Sequence, residues 1–464
     1  MKKNLIKREE KELKNIFHIL VKRDFKGYTG MAVKNMGYQF STTFVVKLGS
    51  LFFTIILARL LMPELFGLYS LALGTIIMIA SFFELGIGPA IIKFVSQALG
   101  KKDKSKAKSY FVYLLKIKAF LLFLSVITLL AIAKFLAYNY YNKPIFLALL
   151  AGAFYILCTG FLGTFSNLFQ AFNDFKAPLL KEIFAQSIRL IFVPLVVLYA
   201  INNFSSQENI LFLLIFSLSL VYLASLLFLL ILSIKKFNLV KEKRKSLLKK
   251  EKKEINKFVF IVSATALSGI FFGYIDIIIL GRFVLAEFLG FYSAAFSLIG
   301  SLAPLIAFSS VLFPIFSRLK GKRLERGLTR STNLIILFSI ILFIITILFA
   351  PIIIKIIYGS NYVSSILLLR ILSLLLLVLP ITAIYDSYFL SIGKPAIIAK
   401  FLIIATVLNI VLNYFLITWL LNYSQLYAAM GAAVATVLSR YFYFGVLLIQ
   451  KKKLLRKSKN IKTN

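Results

Sequence analysis

The chain has 464 residues, is 60% hydrophobic with a mean hydropathy of +0.91, and carries a formal net charge of +38. Soluble domains are about 45–50% apolar, and the apolar runs here reach the roughly 20 residues that span a bilayer, so the composition excludes a soluble globular protein. A single cysteine, Cys158, and a single histidine, His18, exclude an intrachain disulfide, a zinc cage and a Cys/His nucleophile.

Hydropathy predicts an all-α polytopic membrane protein with twelve transmembrane helices. Residues 1–35 come first as a cytoplasmic amphipathic segment, because apolar residues recur there at helical spacing and charges interrupt any signal-peptide core. The predicted spans are 36–60, 67–92, 111–133, 145–172, 183–201, 209–234, 258–283, 290–316, 333–356, 364–391, 396–418 and 428–449. They divide into an N-lobe at 36–234, a basic cytoplasmic linker at 235–257, a C-lobe at 258–449 and a basic cytoplasmic tail at 450–464.

The basic residues are distributed unevenly between the two sides of the predicted membrane. Of 55 Lys and Arg, 43 lie in the termini and the even-numbered loops, and the odd-numbered loops hold only Lys134 and Lys143. The positive-inside rule therefore predicts a multi-pass protein of the cell membrane with both termini in the cytoplasm. The same distribution favours the lipid bilayer and its anionic headgroups over nucleic acid as the partner of the surplus charge.

A segment of the first half is repeated in the second half. Residues 57–72, LARLLMPELFGLYSLA, recur at residues 280–295 as LGRFVLAEFLGFYSAA, with seven of sixteen positions identical at a spacing of 223 residues. Because each half has an even number of spans, the repeat predicts two parallel lobes about a pseudo-two-fold axis along the membrane normal. Residues of the repeat with a predicted structural role are Arg59, Glu64, Gly67 and Tyr69 with their counterparts Arg282, Glu287, Gly290 and Tyr292. Both arginines are expected to anchor helix ends or to pair with the repeated glutamates.

The repeat, the stretch ELGIGPAIIKFVSQ and the segment FGYIDIIILGRFVLAEFLGFYSAA resemble one family of transporters. That family is the polysaccharide-flippase (Wzx-like) branch of the multidrug/oligosaccharidyl-lipid/polysaccharide (MOP) exporter superfamily. The resemblance covers nearly the whole chain and implies a MATE-like fold, with two pseudo-symmetric six-helix lobes around a central cavity. It also implies alternating access that moves a polyprenyl-linked anionic glycolipid from the cytoplasmic to the outer leaflet. Glycan-assembly enzymes of the same pathway are implied as partners.

Among the cations inside predicted spans are Lys47, Arg189, Arg370 and Arg440. A charge at the centre of a span costs about 2.5–3.5 kcal/mol on insertion scales, so these side chains are expected to face water or one another. The structural alternative is a set of buried ion pairs or of side chains that snorkel to the interface. We predict a substrate-binding cationic cavity, since Arg forks bind diphosphate oxygens bidentately and Lys binds them as a point charge.

Glu84 and Asp276 are acidic residues that also lie inside predicted spans. They are candidates for coupling to Na⁺ or H⁺, because an intramembrane carboxylate exchanges a proton or a cation between states. The alternative is a structural pair with Lys47 or Arg282. No catalytic residue, resident metal or other cofactor is predicted.

Three other functions are weaker interpretations of the same sequence. A multidrug cation antiporter of the same superfamily would favour an acidic lumen, whereas cations outnumber acids in these spans. A membrane glycosyltransferase needs acidic residues at a water-facing loop, and the first outer loop offers only Glu64. A scaffold without transport gives no reason for charges inside both lobes. The sequence therefore predicts a transporter and not an enzyme.

Overall fold

The computed structural model describes residues 27–84, 86–236, 244–307, 316 and 321–463, and these form helices joined by short turns, without a strand in those ranges. The helices are α1 (Gly27–Glu84), α2 (Ile87–Gly100), α3 (Lys104–Lys134), α4 (Phe146–Ala171), α5 (Lys176–Asn203), α6 (Gln207–Lys236), α7 (Lys249–Phe283), α8 (Ala286–Ala307), α9 (Gly321–Ile357), α10 (Ser365–Ser373), α11 (Leu375–Ser391), α12 (Pro395–Leu421) and α13 (Gln425–Thr463). A π-helical segment, Phe135–Tyr141, continues α3, and a 3-10 turn, Ser360–Tyr362, follows α9. His18 and most of the predicted amphipathic segment lie outside the described residues.

Helix α1 contains the first predicted span and most of the second, whose last residues lie in α2. Its apolar part, Val33–Phe83, has 51 residues, which at 1.5 Å per residue would be about 76 Å long, far more than the roughly 30 Å of bilayer hydrocarbon. The helical geometry is interrupted at Met62, where φ is 59° and ψ is 170°, and Pro63 follows. Since proline lacks the amide hydrogen that would continue the helical hydrogen-bond ladder, the interruption separates the two spans within the repeated motif.

The described residues contain ten helices long and apolar enough to cross a membrane. Because one of the ten is the doubled helix α1, these account for eleven of the twelve predicted spans, and α7 lies at the position of the seventh. Predicted span 10 is divided into α10 and α11 at Leu374. Large apolar side chains are exposed along the outside, as expected for surfaces that face lipid, including Phe120, Ile191 and Leu348. The all-α membrane fold is therefore confirmed.

The two lobes share one hydrophobic core at one end of the molecule and have separate cores at the other. The shared core joins residues of α1 and of α3 to α13, from Phe53 to Val437. At the opposite end, one cluster belongs to the N-lobe and the start of α7, and another belongs to α9 and α11–α13. We call the end with the shared core the closed face. The end with separate cores carries the linker between the lobes and is called the linker face.

At the linker face, two ion pairs join the start of α7 and the residues before it to the N-lobe. Lys245 Nζ donates to Asp103 Oδ2 at 2.8 Å, and Lys106 forms an ion pair with Glu251 in the first turn of α7. The Lys245 ammonium lowers the pKa of Asp103 below its usual range, and the Lys106 ammonium does the same for the pKa of Glu251. Helix α7 therefore begins inside the predicted linker, against the N-lobe, and ends in the C-lobe.

Candidate functional site

A buried arginine occupies the middle of the N-lobe. Arg189 on α5 is only 8% exposed, and its Nη2 donates to Gln186 Oε1 at 2.6 Å and to Ser50 Oγ of α1 at 3.1 Å. The guanidinium lies over the ring of Phe53 at 4.5 Å from the centroid, and its Nε has no hydrogen-bond partner. Both partners are neutral, so in the described part of the chain this cation has no carboxylate. A fork with a free donor can bind an oxyanion.

The nearest acidic residue of α5 is not the partner of Arg189. Glu182, two turns before Arg189, forms an ion pair with its neighbour Lys181, and the described partners of Arg189 are Gln186 and Ser50. Gln186 lies against Gly49, where a Cβ atom would come within 2.5 Å of its amide oxygen. The absence of a side chain at this position therefore allows the amide to reach the guanidinium.

The other predicted cations divide between the lobes. Lys47 lies three residues before Ser50 on α1, so both occupy the same face of the helix within one turn, and Lys47 is half-buried with no ion pair to a described residue. Arg370 is exposed on the short helix α10, and no described contact brings it to Lys47 or Arg189. The structure thus groups Lys47 with Arg189 and leaves Arg370 apart from them.

The middle of the C-lobe contains a buried carboxylate. Asp276 on α7 is 2% exposed and accepts hydrogen bonds from Tyr292 Oη of α8 at 2.7 Å, Asn413 Nδ2 of α12 at 2.7 Å and Thr436 Oγ1 of α13. Four helices therefore converge on one side chain. Its three described donors are neutral, which compensates for the lost hydration of a carboxylate only in part.

Two amide oxygens beside this carboxylate have no donor. Asn409 and Asn413 are fully buried on successive turns of α12, and the Oδ1 atoms of both are unpaired. Asn409 Nδ2 is 3.4 Å from Thr436 Oγ1, which links it to the Asp276 group. A carboxylate, two amide oxygens and the hydroxyls of Thr436 and Tyr292 make a set of oxygen ligands of the kind that hard cations bind. We call these five residues the C-lobe oxygen cluster.

Arg440 lies near the C-lobe oxygen cluster, on α13. It is one turn beyond Thr436, and both Asp276 and Asp386 of α11 act on its guanidinium electrostatically. Tyr443, on the same helix, donates from its hydroxyl to Asp386 Oδ1 at 2.7 Å. Arg440 is thus within electrostatic range of two carboxylates of the C-lobe.

The remaining predicted residues lie elsewhere. Glu84 ends α1, and its side chain is outside the described residues. Arg59 and Arg282 bond to main-chain carbonyls of the opposite lobe, whereas Glu64 accepts from Gln207 Nε2 at 3.0 Å. Helix ends, and not the repeated glutamates, are therefore the described partners of both arginines.

Several polar residues of the two sites were not found from the sequence. Asn409 and Asn413 lie four residues apart in an apolar span, a spacing that places both on one helix face and that a search for charges alone passes over. Asp386 is acidic and lies inside predicted span 10, so its charge distinguishes it from the surrounding apolar residues as the charge of Asp276 does. Gln186 and Ser50 give no comparable signal.

Comparison with known proteins gives one family and one fold. A family model described as "Polysaccharide biosynthesis protein" matches residues 32–320. An uncharacterized membrane protein of Methanocaldococcus jannaschii is 23% identical over 411 residues, covering 82% of this chain and 76% of the relative.

Two solved structures show the similarity of fold. The lipid II flippase MurJ in an inward closed conformation matches with a TM-score of 0.69 at 16% identity, over 89% of this chain and 87% of that one. An inward-facing multidrug resistance MATE family transporter of the MOP superfamily matches with a TM-score of 0.64 at 15% identity, over 91% and 96%. The expected MATE-like architecture is confirmed.

Proposed function

Because the chain belongs to the polysaccharide biosynthesis protein family, we propose that it is a membrane transporter that flips a polyprenyl-diphosphate-linked sugar by alternating access. The linker face is the cytoplasmic face, in accordance with the distribution of Lys and Arg. The diphosphate enters from this face, where the cores of the two lobes are separate, and the polyprenyl chain stays in lipid. The glycan is then available on the outer leaflet to the enzymes that assemble it.

The observation that carries the proposal is the unpaired guanidinium of Arg189. A buried cation is costly unless a charge compensates it, and its described partners are the neutral oxygens of Gln186 and Ser50. A diphosphate would provide that charge, and the Nε of Arg189 is a donor without another partner. Lys47, on the same face of α1 as Ser50, would act as a second point charge. Arg370 and Arg440 remain proposed members of the cationic lining.

We further propose that Asp276 couples transport to Na⁺. The two unpaired amide oxygens of Asn409 and Asn413 favour Na⁺ over H⁺, because a proton on Asp276 would satisfy at most one of them, whereas a cation is bound by all the surrounding oxygens at once. Arg440 lies beside the same carboxylate and contributes positive charge when the cation has left. Glu84 remains the second candidate for ion coupling.

The transport assay tests this function directly. The full chain is reconstituted in proteoliposomes with a fluorescent polyprenyl-diphosphate sugar, and the accessibility of the probe is followed with a Na⁺ gradient, a H⁺ gradient or none. We expect movement that a Na⁺ gradient accelerates and that an excess of unlabelled polyprenyl diphosphate inhibits. A correctly inserted protein that moves an organic cation and not the lipid would support the multidrug alternative.

A further inference from the structure

The closed face is held by contacts that cross from each lobe to the other. Arg59, at the outer end of the first span, donates from Nε to the carbonyl of Ile357 at 2.8 Å and from Nη2 to the carbonyl of Ile356. Both acceptors lie at the end of α9 in the C-lobe. The last carbonyls of a helix lack intrahelical donors and carry its partial negative charge, so a guanidinium is a suitable cap.

The counterpart of Arg59 makes the reverse contact. Arg282, at the end of α7 in the C-lobe, donates from Nη1 to the carbonyl of Tyr140 in the N-lobe at 3.4 Å and lies 4.8 Å from the centroid of its ring. Tyr140 and Ile357 are themselves equivalent. Each lies two residues before a left-handed residue that ends its helix, Asn142 with φ of 53° and Gly359 with φ of 98°. The two arginines therefore bind the same position of the opposite lobe.

A second pair of contacts obeys the same symmetry. The carbonyls of Ala58 and Gly281 precede the two arginines in the repeat, and each accepts from the opposite lobe. Tyr362 Oη donates to Ala58 at 2.8 Å, and Lys143 Nζ donates to Gly281 at 2.6 Å. Burial at this contact lowers the pKa of Lys143 to about 8.

Between these contacts the two helices of the repeat touch through their backbones. A Cβ atom at Gly67 would overlap the carbonyl oxygen of Ala286, and one at Gly290 would overlap the carbonyl oxygen of Pro63. Pro63 and Ala286 occupy equivalent positions of the repeat, as do the two glycines. The contact is thus centred on the pseudo-two-fold axis, which explains why glycine is needed in both copies.

We propose that these residues form a two-fold symmetric latch, in which Arg59 and Arg282 each cap a helix end of the opposite lobe and so hold the closed face shut. The latch binds no substrate and uses no carboxylate, since its acceptors are main-chain carbonyls. When the lobes rock apart at this face, both caps break and both arginines become hydrated. The latch thus sets the balance between the closed and open forms of this face, whatever the substrate is.

Distances between spin labels measure that balance. Cysteines at Ser205 and Asn422, in a Cys158→Ala background, place one label on a loop of each lobe at the closed face, and pulsed electron resonance in nanodiscs gives the open-to-closed ratio. We expect Arg59→Gln and Arg282→Gln each to raise the ratio about tenfold to a hundredfold, by a similar factor. The Lys variants, which keep the charge but lose the fork, should shift it less.

The matched control is Arg330→Gln, an exposed arginine near the start of α9, far from Ile357, which should leave the ratio unchanged. Gel filtration of each variant shows whether it is monodisperse, and Arg59→Lys with Arg282→Lys serve if a Gln variant does not fold. An unchanged distance distribution in both arginine variants would overturn the latch. So would a shift produced by one arginine alone, because the two contacts would then not be equivalent.

Discussion

The buried polar sites of the two lobes lie at equivalent positions of the repeat, but the central charged residue is an arginine in the N-lobe and an aspartate in the C-lobe. Asp276 in the C-lobe stands where the 223-residue repeat places Phe53 in the N-lobe, and the ring of Phe53 lies beneath the guanidinium of Arg189. Tyr292 donates to Asp276, and its counterpart Tyr69 is buried in the same position of the N-lobe. Equivalent positions of the repeat therefore hold a carboxylate in the C-lobe and, in the N-lobe, the aromatic ring that contacts a buried cation.

The fifth span of each lobe also differs in charge at an equivalent position. The turns before α5 and α12 match, because Asn173 with φ of 58° and Gly393 with φ of 71° both end the preceding helix, and the next residue donates to Phe169 or Phe389 at 2.9 Å. Aligned on these turns, Arg189 is equivalent to Asn409. Equivalent positions of the two lobes thus hold a buried cation in the N-lobe and a neutral amide beside Asp276 in the C-lobe.

Charge reversal in the N-lobe should have the largest effect. Lys47→Glu and Arg189→Glu would place a carboxylate where the diphosphate is proposed to bind, so we expect flipping in proteoliposomes to be abolished in proteins that are monodisperse and inserted. Arg189→Gln, which removes one charge-assisted contact of about 1.5–3 kcal/mol, should weaken lipid binding about tenfold to a hundredfold.

Arg370→Glu separates the proposed lining from the Arg189 group. A loss of flipping as complete as that of Lys47→Glu would show that the exposed cation of α10 also contacts the substrate. Arg330→Glu reverses an exposed charge outside both groups and serves as the control. If Lys47→Glu and Arg370→Glu proteins both flip the lipid-linked sugar at the unmodified rate, the cationic lining is wrong.

Neutralisation in the C-lobe should change ion dependence. Asp276→Asn keeps the size of the side chain and removes the charge that binds the cation, so acceleration of flipping by a Na⁺ gradient should disappear while flipping without a gradient persists. Asp276 accepts hydrogen bonds from three buried donors, and one of these donors would lose its acceptor in the variant. The free energy of unfolding should therefore fall by about 1–3 kcal/mol, measured as a lower Tm in detergent. A variant that responds to Na⁺ as before would remove Asp276 from the coupling site.

A smaller effect is expected from Gly49→Ala. The new methyl group would come within 2.5 Å of Gln186 Oε1 and displace the amide from Arg189, so lipid binding should weaken by about tenfold or less although no charge is changed. Gly163→Ala is the matched control, since no heavy atom lies within 4 Å of a Cβ there. Equal affinities in the two variants would show that Gln186 does not position the arginine.

The smallest effect concerns the linker face. Lys245 lowers the pKa of Asp103. The ion pair therefore stabilises the linker contact fully at a pH above the ordinary pKa of Asp, and this stabilisation is lost as the pH falls through the lowered pKa. Backbone hydrogen exchange at residues 244–248, corrected for intrinsic rates, should therefore increase as the pH falls below the ordinary pKa of Asp. In Asp103→Asn, exchange should be increased already at neutral pH and should not change further at this site.

The sequence predicts the helices well and the polar sites only in part. Twenty-residue apolar runs and the repeat at 57–72 give the spans and the symmetry because hydrocarbon thickness and helix rise determine them. Arg189 and Asp276 stand out because charges are rare in spans. Asn409 and Asn413 do not, since neutral amides insert at a lower cost.

The interlobe contacts show a different limit of prediction. The repeat identifies Arg59 and Arg282, but their acceptors are main-chain carbonyls, which every residue has, so no residue type marks the partner. Similarly, Gly67 and Gly290 are recognisable as repeated positions, while the backbone contact that requires them depends on how the lobes meet.

Binding of each ligand to each lobe variant tests the division between the lobes most directly. Radioactive Na⁺ and a labelled polyprenyl diphosphate are bound separately to the unmodified protein, Arg189→Gln and Asp276→Asn in detergent, with Gly163→Ala as the control. We predict that Asp276→Asn loses Na⁺ and retains the lipid, whereas Arg189→Gln retains Na⁺ and binds the lipid about tenfold to a hundredfold more weakly. Loss of Na⁺ binding in Arg189→Gln with full retention in Asp276→Asn would contradict the assignment of the cation to the C-lobe and the anion to the N-lobe.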